Sequence, residues 1–256
     1  MCYGPEARPP LPPIAGGAGL AGAGELVLEA GDGTRLAAYG ARAAVAEAPG
    51  VVIFPDVRGL HPFYRELAER FAEAGVHATA FDYFGRTAGT GARDDDFDAM
   101  AHVRRTTPEQ VALDAAAAIA HVRSPDGGAA VRTYTVGFCF GGRASFNEAA
   151  AGQGLDGVIG FYGRVQRADE DDRAAPVERA ASYACPVLGL FGGADQAVPA
   201  EAVEAFREAL VAAGVEEEIV VYPEAPHSFF DRHAVEHAEA SADAWRRILA
   251  FVGATA

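Results

Sequence analysis

The 256-residue chain is half apolar, enough for one sizeable core at the upper end of a single domain, and it carries a formal charge of −15. That charge repels polyphosphate backbones and anionic membrane surfaces, so neither nucleic acid nor lipid is expected as a partner. Cysteine occurs at Cys2, Cys139 and Cys185, an odd number without paired metal-type spacing, which argues against a disulfide framework or a zinc knuckle and for a reducing compartment.

The opening MCYGPEARPPLPP lacks the basic and apolar regions of a secretory signal, and no apolar run reaches membrane-spanning length, so a cytoplasmic location is expected. Residues 1–24 are rich in Pro and Gly without a period, and are read as an extended arm ahead of a single domain over 25–256. Two short strands, 25–29 and 35–40, flank the turn GDG and predict a hairpin. From Gly50 onward strand and helix alternate. VVIFPD (51–56) is a short continuous apolar run, as for a strand covered on both faces, and Phe63, Leu67 and Phe71 then recur at helical spacing. HATAFDY (77–83) is a second parallel strand. A long loop over 84–106 carries the acidic run Asp94, Asp95 and Asp96, read as solvated. Thr107-Pro108-Glu109-Gln110 then supplies a capping residue, a proline at the first helical position and a capping-box glutamine for a helix to about Ser124.

A strand over 131–137 leads into a helix after Cys139, and VIGFYG (158–163) is a further strand, followed by a second acidic loop at 169–172. PVLGLFG (186–192) is a strand whose following helix has Val203, Phe206 and Leu210 on one face. EEIVVYP (217–223) is the last strand, before a helix over 235–252. This order predicts a doubly wound, mostly parallel sheet with helices on both faces, and ligands gathered at the strand C-terminal ends.

Gly137-Phe138-Cys139-Phe140-Gly141 has the form of a nucleophile elbow, in which a strand turns sharply into a helix and raises the central side chain above the sheet. Helix N-terminal amides there favour a thiolate, and the Phe140 amide is available to a developing oxyanion. A thiolate nucleophile needs a base and a group to orient it. Asp195, just beyond the strand at 186–192, and His227, just beyond the last strand, follow in the order nucleophile, acid, histidine. A solvated aspartate and a loop histidine are the plain readings of either alone; three matches at three strand ends are much harder to obtain by chance. His233 and His237 are four apart on a predicted helix, but no glutamate beside the first completes a metalloprotease motif, so no metal is assigned. Cys185, ahead of Pro186 at a strand start, is read as a buried structural thiol.

With VVIFPDVRGL, FDYFGRTAGTG, GFCFGG, GGAD..VP and PHSFF, the sequence resembles the dienelactone hydrolase family from about residue 25 to the end. The resemblance implies an α/β-hydrolase fold with a Cys139, His227, Asp195 triad, no cofactor, and a small-molecule ester or lactone as substrate. It further implies an oxyanion hole from the Val57 and Phe140 amides, a resting thiol held by Asp56, and a substrate carboxylate bound by Arg86. The family's second carboxylate-binding arginine falls at Asp231 here. A carboxylate facing Asp231 would be repelled unless Arg232 or Arg164 reached it. The same triad would also serve a thioesterase or acyltransferase. A cysteine amidotransferase would place its acid close after the histidine, where this chain has Ser228 and Phe229. A non-catalytic binding protein on the same scaffold would be expected to have lost a triad member. A redox-sensor role for Cys139 lacks a resolving cysteine nearby in sequence. Monomer and homodimer are both compatible with the sequence.

Overall fold

Among the described residues eight strands form one sheet in the order β1-β2-β4-β3-β5-β6-β7-β8. The computed structural model describes residues 7–93, 97–167 and 175–254. The expectations for Cys2 and for the acidic runs at 94–96 and 169–172 fall outside these residues. Strands β1 (Leu20–Glu29) and β2 (Arg35–Ala43) make the predicted hairpin, antiparallel and in register from Gly22↔Arg42 to Glu29↔Arg35. β1 begins five residues earlier than its side chains suggest. LAGAG has no alternating pattern, and only backbone pairing with the end of β2 recruits it, across an irregularity between Leu20 and Gly22.

β2 joins β4 (His77–Phe81) antiparallel, and every later pairing is parallel: β4 with β3 (Gly50–Phe54), then β5 (Thr133–Phe138), β6 (Gly157–Phe161), β7 (Val187–Gly192) and β8 (Glu217–Tyr222). The five central strands β3 to β7 are buried along their whole length, which is why they read as continuous apolar runs rather than alternations.

Helix α1 (Pro62–Glu73) buries Phe63, Leu67 and Phe71, as its spacing predicts. The long loop after β4 carries two short helices, α2 (Gly85–Ala88) and α3 (Ala99–Val103). α4 (Pro108–Arg123) starts at the predicted capping box: the Gln110 N–H donates to Thr107 Oγ1 and the Thr107 N–H donates to Gln110 Oε1. α5 (Phe140–Glu148) follows β5 directly, α6 (Pro176–Arg179) is a single turn, and α7 (Ala200–Ala212) buries Val203, Phe206 and Leu210. α8 (Ala238–Val252) packs Trp245 against Phe71 of α1, with ring centroids 4.8 Å apart. α1 and α8 therefore share one core cluster with the sheet, while α4, α5 and α7 close the opposite face.

The last helix begins at Ala238, three residues later than its predicted start. Residues 228–237 are a run of turns instead: the His233 N–H donates to the Ser228 carbonyl, that of Ala234 to Asp231 and that of His237 to His233. This path buries Phe229 and Phe230 completely and leaves Val235 92% exposed, so periodicity was a poor guide there. His233 and His237 thus lie ahead of the helix rather than on its face.

Candidate active site

β5 ends at Phe138 and α5 begins at Phe140, so one residue, Cys139, makes the whole turn. It does so at φ 54°, a left-handed conformation that L residues adopt at a cost of about 1–3 kcal/mol. The flanking glycines permit the turn by their lack of side chains. A Cβ on Gly137 would come 2.0 Å from the Gly141 carbonyl oxygen, and one on Gly141 would come 2.2 Å from the Phe54 and Pro55 carbonyl oxygens. Phe140 is the first helical residue, and its N–H has no intrahelical acceptor.

Asp195 and His227, 32 residues apart in sequence, meet here: His227 Nδ1 and Asp195 Oδ2 are 2.7 Å apart. Asp195 is buried, and its other oxygen accepts the Ala197 N–H at 2.8 Å, so both lone-pair sets of the carboxylate are fixed. With Nδ1 on the carboxylate, Nε2 is the nitrogen left to serve as a base. The turn after β7 carries Asp195 and the turn after β8 carries His227; both lie at the sheet edge where β5 delivers Cys139.

The turn after β3 borders the elbow, because Phe54 pairs with Gly137 in the parallel register. Asp56 in this turn is buried at 1% exposure. Its Oδ1 accepts the Arg58 N–H at 2.9 Å, its own N–H donates to the Tyr64 hydroxyl at 2.9 Å, and the Tyr83 hydroxyl donates to its carbonyl. Val57 is thereby presented on a turn fixed by two tyrosines.

Tyr162, which sequence reasoning left as the end of a strand, is fully buried at φ 37°, and its ring centroid is 4.9 Å from that of His227. Its hydroxyl donates to Asp231 Oδ2 at 2.7 Å, and Asp231 Oδ1 accepts the Arg232 N–H. Burial pushes the Asp231 carboxyl up to about 7, against the lowering effect of these donors; Asp56 pushes it the same way and His227 opposes. Burial and Asp231 together raise the Tyr162 phenol well above its ordinary value. The signal for Tyr162 was its place one residue past the C-terminal end of β6, the edge where parallel sheets collect ligands.

Arg86 stands apart from this group. Its guanidinium donates to Asp32, to Thr34 Oγ1 at 2.7 Å and to Asp114 Oδ1 at 2.6 Å, tying the β1–β2 turn to α4. Arg164 and Arg232 are both exposed, and Arg232 Nε lies 3.1 Å from His233 Nε2. Cys185 is buried, and burial pushes its thiol up to about 11, which suits an inert structural residue. Among the described residues no cluster of three or more His, Cys, Asp or Glu could hold a metal ion, and no helix is long and apolar enough to cross a membrane.

Residues 36–256 match the sequence profile of the dienelactone hydrolase family. A Salmonella typhimurium protein named "Putative carboxymethylenebutenolidase" is 34% identical over 221 residues, covering 85% of this chain and 82% of its own. A Methylorubrum extorquens protein of the same name is 32% identical over 236 residues, 88% of this chain and 79% of its own. The crystal structure of a Klebsiella pneumoniae protein, described in the same provisional terms as a dienelactone hydrolase, superimposes with a TM-score of 0.79 at 33% identity, covering 90% of this chain and 98% of that one.

Proposed function

The chain belongs to the dienelactone hydrolase family and is a hydrolase of the α/β-hydrolase fold, and from that premise we propose that it cleaves an ester or lactone with Cys139 as the nucleophile. The observation that carries this reading is the His227–Asp195 hydrogen bond at the sheet edge where the strained elbow lifts Cys139. The chain's own residues supply each step. His227 Nε2 takes the thiol proton, and the Sγ electron pair forms a bond to the substrate carbonyl carbon. The carbonyl π pair moves to oxygen, where the Val57 and Phe140 N–H groups receive it; one such donor is worth roughly 3 kcal/mol of barrier. Collapse expels the alkoxide, which takes the proton from His227. Water, deprotonated by the same imidazole, then attacks the acyl-thioester and returns the free thiol. Asp195 holds the imidazole in the tautomer that leaves Nε2 unprotonated at the start. Asp56, buried beside the elbow, restrains the thiol between turnovers.

The acyl group is neutral in this reading. Asp231 stands beside Tyr162 and His227, Asp56 is already faced by the Arg58 guanidinium at 3.6 Å, and Arg86 is committed to Asp32 and Asp114, so on the His227 side a carboxylate on the substrate meets repulsion from Asp231. The decisive measurement is turnover of a panel of neutral esters and lactones by wild type and Cys139→Ala. Loss of at least a thousandfold in kcat is expected; unchanged turnover in the variant rules out the thiol as nucleophile.

A further inference from the structure

Among the described residues five other than glycine have a positive φ, and three of them stand at the catalytic edge: Cys139 at 54°, Tyr162 at 37° and Ser228, next in the chain to His227, at 62°. Tyr162 follows β6, where a glycine would hold the same φ without strain. A large side chain kept on a strained backbone beside a catalytic group points to a task for that side chain.

The backbone around Tyr162 is bound to the nucleophile's turn. The Cys139 N–H donates to the Phe161 carbonyl at 3.1 Å and the Tyr162 N–H to the Leu190 carbonyl at 2.9 Å, which fixes the end of β6 between the elbow and β7. α5 is pressed against both neighbours of Tyr162. A Cβ on Gly142 would come 2.5 Å from the Phe161 carbonyl oxygen, and one on Gly163 would come 2.5 Å from the Arg143 backbone nitrogen. The side chain of Tyr162, by contrast, is bound to the turn that carries the base. Its ring centroid is 4.9 Å from that of His227, and its hydroxyl donates to Asp231 at 2.7 Å. The Asp231 N–H donates in turn to the Ser228 carbonyl at 3.2 Å, one residue from His227. One residue thus spans the Cys139 turn and the His227 turn.

Packing does not account for the hydroxyl. Phe138, Phe161 and Phe229 surround the ring, and a phenylalanine would fill the same space, whereas a phenol and a carboxylate withdrawn from water together carry a desolvation cost. A catalytic group works only when held within ~0.5 Å of its productive place by side chains that are themselves locked. We propose that Tyr162 is a positioning residue for the catalytic base: anchored through its hydroxyl on Asp231, it fixes the His227 ring within reach of Cys139. The proposal rests on the hydrolase reading above for the task of His227, and on the contacts of Tyr162 alone for what holds the ring.

The test measures kcat and KM for p-nitrophenyl acetate, or for the neutral ester that wild type turns over fastest. Tyr162→Phe, which keeps the ring and removes the anchor, should lower kcat about tenfold and leave KM within twofold of wild type. In a His227→Gln background the same substitution should change the residual rate less than twofold, because a residue that acts through the base has nothing left to act on. Tyr183→Phe, which removes a buried hydroxyl on the opposite face of the sheet, is the control and should leave kcat unchanged. Wild-type kcat in Tyr162→Phe, or an equal loss in the His227→Gln background, overturns the proposal. Should Tyr162→Phe fail to fold, Asp231→Leu removes the same bond and is read in its place. If wild type turns over no ester or lactone, the hydrolase reading fails by itself, and Tyr162 is then judged by NMR of the His227 Nδ1 proton shared with Asp195. Exchange with water at least tenfold faster in Tyr162→Phe upholds the positioning role, and an unchanged exchange rate refutes it.

Discussion

His227 and Arg86 both sit just beyond the end of a strand, both engage a buried aspartate, and both are site residues by family resemblance, yet their surroundings differ. His227 has one ring nitrogen on Asp195 and keeps 27% of its side chain exposed. Arg86 has three side-chain partners and keeps 12%, with Asp114 beneath it wholly buried. A short rigid ring points where its backbone sends it. A long guanidinium ends wherever the best acceptors are, and the β1–β2 turn and α4 happen to offer two carboxylates. Strand-end position therefore says more about where a short ring points than about where a long guanidinium ends.

The comparison can be broken most sharply on the His227 side. Asp195→Asn should lower kcat by about 10⁴-fold with little change in melting temperature, because the amide favours the wrong imidazole tautomer while preserving its place. A loss below tenfold would show that Asp195 does not orient a working base.

On the other side, Arg86→Ala should act on stability first. It strips the buried Asp114 of its cation, and denaturant unfolding should register a loss of about 3 kcal/mol. The variant's selectivity between neutral and carboxylate-bearing esters should stay as in wild type. A selective loss on carboxylates with unchanged stability would return Arg86 to the substrate site.

The smallest expected effect belongs to Asp231→Asn, which tests whether an acidic group beside His227 is retained at a cost in stability. Burial pushes the native Asp231 carboxyl up to about 7 from an ordinary 3.8, so between these values the folded state binds more protons than the unfolded one. Stability is thus greatest below the lower value and falls as pH rises through 7. Removing the charge should stabilise the protein by about 1–2 kcal/mol at pH 8, after allowing for one weakened hydrogen bond, and the gain should vanish toward pH 4. The same variant should raise kcat/KM for carboxylate-bearing esters several-fold relative to neutral ones. A variant less stable than wild type at pH 8 would mean that Asp231 is held there as a favourable anion.

The sequence by itself determined the alternation of buried strands and amphipathic helices, the capping box of α4, the glycine-framed elbow at Cys139 and the chain order of Asp195 and His227. These are local patterns: period, cap chemistry and steric room for a sharp turn are all written within a few residues. The tertiary structure alone decided the rest. The first residues of β1 pair only because β2 is there to receive them, the turns at 228–237 exist because Phe229 and Phe230 are drawn into the core, and Tyr162 reaches His227 because β6 ends beside β7. The bonds Arg86 makes are likewise a matter of what lies opposite. A side chain's type fixes what it can bind, but its partner is chosen by the packing of segments that the sequence keeps far apart.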